Sequence, residues 1–218
     1  SCSWRWVAGL HTAGKTYLAR PANIEEYTQG RFKPEGQLAS TAVALEEADL
    51  GPRVQPTFDV PDLAGQRIGL LLTPEDCAAD RLDPLPTPAG LFAWTEPVKR
   101  SVRPTAPAVD AFAAQVVESA VTASEARFGL SCVRAEADEP TAEALARWAQ
   151  DLALDCIVTP RLPLGPTRKA VHAACSSQGL TLVEVTRPYD QAVWPHARAG
   201  FFGLKKKIPA ILASLSLA

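Results

Sequence analysis

Hydrophobic positions in the second half of the chain alternate between two spacings. Short apolar runs at residues 67–72 and 91–94 are typical of strands buried on both faces, and further strands are predicted at residues 130–133, 156–159 and 180–185. Between and after them, apolar residues recur at the helical spacing, which predicts helices over 109–120, 140–152, 166–178 and 204–217. Strands that alternate with helices predict a small, doubly wound α/β domain with a mostly parallel sheet.

The first of these helices carries the clearest stripe. Its apolar positions predict one stripe that packs on the sheet, and they are Val109, Phe112, Ala113, Val116, Val117 and Ala120. Two later helices have boundary signals, since Pro140 suits a first helical residue and Gly179 a helix end.

The residues before this domain differ from it in composition, and the chain therefore divides into three parts. Residues 1–37 are rich in aromatic and polar side chains, and residues 38–64 resemble a connector with Gly51, Pro52, Pro56 and Pro61. The predicted domains are therefore 1–37, a linker over 38–64, and the α/β domain over 65–218.

Composition narrows the class of protein. The 218 residues are 47% hydrophobic, with 22 Lys and Arg against 24 Asp and Glu, and no apolar run reaches the length of a membrane span. We therefore expect a soluble, cytoplasmic protein without a membrane partner. Because the chain has no methionine, we interpret it as a piece of a longer protein. Its five cysteines lack CxxC spacing, so we predict reduced thiols and no metal site.

The α/β domain lacks the usual catalytic and nucleotide-binding motifs. It has no GxSxG, HExxH, GxGxxG or GxxxxGK[ST] sequence, which leaves an enzymatic interpretation of this domain unsupported. One loop, residues 159–169, leaves a strand and enters a helix N-terminus, where backbone N–H groups favour anions. The candidate anion-binding residues are Gly165, Thr167, Arg168 and Lys169. The alternative is an ordinary strand-to-helix turn.

The C-terminal end is basic and aromatic. From Arg161 to the end, the sequence has eight basic and two acidic residues. Residues 194–209 combine Trp194, Phe201 and Phe202 with three consecutive lysines. This composition suits stacking on bases and neutralising phosphates. It suits equally a loop whose aromatic side chains plug the edge of the core.

Two tryptophans near the N-terminus are the most specific signal. Trp4 and Trp6 lie two residues apart, so on a helix they point about 200° apart and cannot both face one core. The run Trp4, Trp6, Gly9 matches W-x-W-x-x-G, Tyr17 and Asn23 follow, and residues 32–36 read FKPEG. In these residues the sequence resembles the photolyase/cryptochrome flavoprotein family, over about 36 positions.

The resemblance implies a function and two site residues. Residues 1–37 would be the C-terminal end of a helical FAD-binding domain, a remnant whose missing N-terminal part would hold most FAD contacts. Trp4 would take the catalytic role of passing an electron to the flavin, and Trp6 would bind the substrate by stacking on an extruded pyrimidine lesion. The implied parent is a DNA photolyase, a lyase for DNA repair that uses FAD and blue light and has damaged DNA as its partner. This chain alone would be inactive.

Three alternatives remain open. The parent could be a cryptochrome-like blue-light sensor with the α/β domain as its output module. The α/β domain could instead be a non-catalytic module that binds a small anionic ligand or a protein partner. It could also hold a second, light-harvesting chromophore.

Overall fold

The computed structural model describes residues 18–41, 57–58, 61–96, 104–197 and 200–216. The chain divides into two compact units, Ser1–Val54 and Gln55–Ala218. In the described residues no helix is both long enough and apolar enough to cross a bilayer.

The described part of the first unit is one short helix and two turns. Helix α1 (Pro21–Tyr27) begins with a proline, whose missing N–H costs nothing at that position. Its end is tied by Thr28, whose hydroxyl donates to the Ile24 carbonyl at 2.6 Å and accepts from the Phe32 amide at 3.2 Å. The chain then reverses at Gly30, where φ is +75°.

No side chain in residues 18–41 is buried. Tyr27 is 81% exposed and Phe32 is 54% exposed. This segment therefore presents its aromatic side chains outward.

The second unit contains a five-stranded sheet in which all strand pairs are parallel. The strands are β1 (Ile68–Leu72), β2 (Gly90–Ala93), β3 (Cys132–Val133), β4 (Cys156–Pro160) and β5 (Leu182–Val185). Their order is β3-β2-β1-β4-β5. The prediction of a doubly wound α/β fold is confirmed.

Helices connect and follow these strands. They are α2 (Pro107–Phe128), α3 (Thr141–Asp151), α4 (Pro166–Ser177), α5 (Pro188–Val193), α6 (Gly200–Lys205) and α7 (Ile208–Ser214), with 3₁₀ turns at Ala79–Arg81 and Trp194–His196. The start of α4 matches the prediction, and Gly179 follows its end with φ of +65°.

The sheet is covered on both faces, which explains its continuous apolar strands. Leu70 and Leu72 of β1 pack with Val117 and Val121 of α2. Leu71, which points the other way, packs in a second cluster with residues of α3 and α4. All five residues of β1 are buried, as are all of β2 and β4.

The predicted stripe of α2 is wrong in its first half. Val117 and Ala120 are buried, but Val109 is 50% exposed and Phe112 is 66% exposed. A helix of 22 residues is about 33 Å long, whereas a strand of five residues spans about 17 Å. The sheet therefore covers only the later turns of α2.

The predicted single helix over 204–217 is also wrong. The structure has two short helices, α6 and α7, separated at Lys206 and Lys207. Pro209 explains the break, because its ring has no N–H and would clash with the carbonyl of Lys205 in a continuous helix. Sequence reasoning also missed α5, which begins at Pro188.

Candidate functional site

The strand order identifies the place where ligands bind in folds of this kind. The chain passes from β1 outward to β2 and β3, and then returns to the other side of β1 to form β4. The carboxyl ends of β1 and β4 therefore mark the topological switch point, where the connecting loops separate and leave a crevice. The loop that begins at Thr73 and the loop that begins at Arg161 line this point.

The candidate anion-binding residues lie at this switch point, at the start of α4. Gly165 is the N-cap residue, and its extended φ of 165° is accessible to any residue. Thr167 is buried, and its hydroxyl donates to Oε1 of Glu75 at 2.6 Å. Arg168 donates two hydrogen bonds of 2.9 Å to the Glu184 carboxylate, and Lys169 is exposed.

Two of the four predicted anion-binding residues thus already donate hydrogen bonds to carboxylates of the protein itself. An external anion would compete with Glu75 for Thr167 and with Glu184 for Arg168. The same contacts fix the entry of the chain into α4, which is what an ordinary strand-to-helix turn requires. Anion binding at this loop stays a prediction.

Glu184 of β5 is the centre of a small charged cluster. It accepts hydrogen bonds from Arg168 and lies 3.0 Å from Nε2 of His172. Burial alone would raise the pKa of Glu184, but the hydrogen bonds from Arg168 and His172 outweigh it and leave this pKa below its usual value. The charged carboxylate is therefore stabilised in the folded state.

Replacing Arg168 by alanine is expected to lower the free energy of unfolding by about 2 kcal/mol at neutral pH, because Glu184 loses charged hydrogen bonds. A lowered pKa in the folded state contributes stability above the usual pKa of 4.5 and loses it as the pH falls through the folded value. The difference between wild type and Arg168→Ala should therefore shrink in acid.

Denaturant unfolding at about pH 7 and about pH 3 measures this difference. Lys169→Ala is the matched control, because Lys169 is the neighbouring cation and is exposed. An Arg168→Ala penalty of equal size at both pH values would contradict the assignment.

A second ion pair joins the loop after β1 to the loop after β5. Arg187 donates to both carboxylate oxygens of Asp76, at 2.5 and 2.8 Å, and to the Ala78 carbonyl at 2.6 Å. Both side chains are about four-fifths buried. At the same edge the Thr159 hydroxyl donates to the Leu71 carbonyl at 3.1 Å, which joins β4 to β1. Hydrogen bonds within the protein thus connect the strands and loops that meet at the switch point.

Arg161, which follows β4, lies against aromatic rings. Its guanidinium carbon is 5.8 Å from the centre of the Phe58 ring and 5.6 Å from that of Trp194, and it donates to the Thr57 carbonyl at 2.9 Å. Such cation–π contacts contribute roughly 0.5–1 kcal/mol each when partly exposed. Arg161 therefore holds the 57–58 segment and Trp194 against the carboxyl end of the sheet.

Two cavities open beside β2, and both are lined by Trp94, Thr95 and Glu96. A crevice of about 770 Å³ lies between the start of α3 and the side of α4, and four of its lining residues are acidic: Glu96, Glu136, Asp138 and Glu139. A smaller, mainly apolar cleft of about 180 Å³ lies between Trp94 and the first half of α2. Because carboxylates repel phosphate, the larger crevice disfavours a phosphorylated ligand.

Three of the four thiols in the described residues are poorly suited to redox chemistry or nucleophilic catalysis. Burial raises the pKa of Cys132 to about 12 and that of Cys175 to about 11, and it also raises the pKa of Cys156. The reactive thiolate is therefore scarce near neutral pH. In the same residues, no group of three His, Cys, Asp or Glu side chains could hold a metal ion.

Trp4, Trp6, Gly9 and Tyr17 lie outside the described residues. Of the other family-like residues, Asn23 is an exposed residue of α1. The 32–36 element forms a turn in which Gly36 has φ of +68°, a conformation that favours glycine.

Sequence reasoning missed the partners of the basic residues. Asp76 and Arg187 are 111 positions apart, and nothing local relates them. The Glu184 contact had one usable signal, since an acidic residue in the strand after α4 can reach the first turn of that helix. No protein-family model, curated protein or solved structure matches the chain.

Proposed function

We propose that this chain is the C-terminal part of a photolyase-like flavoprotein. The parent protein binds FAD and uses blue light to split pyrimidine dimers in damaged DNA. The observation that carries the proposal is the ordered match of Trp4, Trp6, Gly9 and residues 32–36 to that family's pattern.

The described residues of the first unit support this proposal in one respect. Residues 18–41 bury no side chain, and Tyr27 and Phe32 are exposed although both are large and apolar. Large exposed aromatic side chains five positions apart in the sequence favour packing against another folded body. The missing part of a helical FAD-binding domain would supply that body.

The two tryptophans have separate tasks in this proposal. FAD, when bound, supplies the light-driven electron that splits the dimer. Trp4 is the electron donor to the flavin, because an indole ring can lose one electron and is flat enough to lie against the isoalloxazine ring. Trp6 is a flat wall on which an extruded pyrimidine stacks, an interaction worth about 1–3 kcal/mol per base.

A pair of variants tests both tasks in the intact protein that contains this chain. Trp4→Phe should keep bound FAD but lose most of its photoreduction under blue light. Trp6→Ala should keep photoreduction but bind dimer-containing DNA about tenfold more weakly and repair it more slowly. Flavin absorbance during illumination and restoration of intact thymines measure the two effects.

Trp194→Phe is the control for these variants, because Trp194 belongs to the other unit and packs on Phe58 and Arg161. It should change neither photoreduction nor repair. Photoreduction in the wild type without any dimer repair would contradict the repair function and favour a cryptochrome-like light sensor. Photoreduction that survives in Trp4→Phe would contradict the role of Trp4.

A further inference from the structure

Two adjacent phenylalanines and three lysines near the C-terminus form one exposed surface. We call it the aromatic–lysine patch, and it consists of Phe201, Phe202, Lys205, Lys206 and Lys207. The two phenyl rings lie 5.8 Å apart at their centres with an interplanar angle of 62°. They belong to α6, and the lysines occupy its end and the break before α7.

The exposure of the two rings decides between the two interpretations of this segment. Side chains that plugged the edge of the core would be buried, but Phe201 is 60% exposed and Phe202 is 79% exposed. Trp194 behaves differently, because it is 37% exposed and packs on Phe58 with ring centres 5.8 Å apart. Packing therefore explains Trp194 but not the phenylalanine pair.

The charge of the patch is not neutralised locally. After Asp190 the sequence contains no acidic residue. All three lysines are exposed, and no ion pair joins them to a carboxylate in the described part of the chain. Three consecutive positive charges thus follow the two exposed rings closely in the sequence. The chain as a whole has a net charge of −2.

We propose that the aromatic–lysine patch binds single-stranded nucleic acid. Exposed rings stack on unpaired bases irrespective of sequence, and neighbouring lysines neutralise the phosphates between those bases. A duplex hides its base faces and could use only the lysines. An interfacial membrane helix instead needs an apolar stripe that runs along several turns, whereas α6 has only six residues and ends at Lys205, the first of the three lysines.

The proposal does not depend on the flavoprotein function. It concerns a surface of the second unit, whereas the resemblance to photolyases covers residues of the first. Each proposal can fail while the other stands.

The test is binding of the full chain to a labelled oligodeoxythymidine of about 15 nucleotides, followed by fluorescence anisotropy over a range of salt concentrations. Phe201→Ala with Phe202→Ala should weaken binding about tenfold or more and leave the salt dependence unchanged. Alanine at the three lysines should lower the slope of log affinity against log salt by about 2, roughly 0.7 for each phosphate that is no longer neutralised.

Two further variants make the result specific. Phe112→Ala removes a ring that is 66% exposed on α2, and it should leave the affinity unchanged. Leucine at both Phe201 and Phe202 keeps apolar side chains but removes the stacking faces, so binding should weaken as it does with alanine. Because all these side chains are exposed, each variant should keep the unfolding midpoint of the wild type.

Several outcomes would overturn the proposal. They are the absence of oligonucleotide binding at low salt, an affinity that the phenylalanine variants do not change, and equal affinity for a duplex of the same length. Binding to vesicles of anionic lipid together with no binding to the oligonucleotide would assign the patch to a membrane surface instead.

Discussion

Replacing Gly69 by valine is expected to destabilise the second unit by about 3 kcal/mol, because a side chain at this position meets an occupied space. Gly69 of β1 pairs in register with Gly90 of β2, so two glycines stand side by side on the sheet. A Cβ atom at Gly69 would overlap the Trp148 ring and the Leu154 side chain. A Cβ atom at Gly90 would overlap Leu152 and approach Nε1 of Trp148 at 3.1 Å.

These glycines therefore form a slot that receives the indole of Trp148. Trp148 is 5% exposed and also packs on Phe92, with ring centres 5.4 Å apart. The slot brings α3 close to the sheet, and it explains why two glycines persist inside strands, where glycine is otherwise unfavourable.

Denaturant unfolding of Gly69→Val and of a matched glycine variant measures the effect. Gly203→Ala is the control, because an added Cβ there meets nothing within 4 Å and the residue lies inside α6. It should be neutral or slightly stabilising, since alanine favours helices over glycine by about 1 kcal/mol. Similar stability of Gly69→Val and the wild type would contradict the slot.

Arg187→Ala should also be strongly destabilising, with a loss of about 3 kcal/mol. The substitution leaves the carboxylate of Asp76 about four-fifths buried without its bidentate partner, and it removes a donor from the Ala78 carbonyl. An unpaired buried charge costs more than the pair contributes, so Asp76→Asn together with Arg187→Ala should be less damaging than the sum of the single variants.

Arg81→Ala provides the contrast. Its side chain is 82% exposed and its nearest carboxylate, that of Asp80, is 3.8 Å away. An ion pair of this length with an exposed guanidinium contributes at most about 1 kcal/mol, so the variant should unfold almost as the wild type does. Equal and small effects for Arg187→Ala and Arg81→Ala would show that the pair at the sheet edge is not a structural tie.

The sheet could be predicted from the sequence because its signals are local. β1 and β2 are short apolar runs, and burial on both faces explains why these runs do not alternate with polar residues. The length of sheet available to α2 has no local signal, so the periodicity of Val109 and Phe112 resembled that of core residues. The break in the last helix did have a signal, Pro209, which the apolar spacing outweighed in the prediction.

In the candidate site too, features with a local signal could be predicted and tertiary contacts could not. The loop from Gly165 to Lys169 was correctly placed at the start of a helix after a strand, because proline and glycine mark that boundary. The engagement of Thr167 with Glu75 and of Arg168 with Glu184 depends on tertiary contacts across 92 and 16 positions. Charge counted along the sequence cannot show that a cation already has a partner.

In residues 194–209 the structure distinguishes aromatic side chains that pack from aromatic side chains that are exposed. Trp194 packs on Phe58 and is 37% exposed, whereas Phe201 is 60% exposed. Composition cannot show this difference, because both kinds of side chain lie within one short stretch of the sequence.

The flavin content of the intact protein that contains this chain is the decisive measurement for the proposed function. The protein is purified in the dark, denatured, and its released chromophore is separated and quantified against FAD, with reconstitution by added FAD as a second arm. We expect about one FAD per chain, either on purification or after reconstitution. A colourless protein that takes up no FAD in either arm would contradict the flavoprotein function.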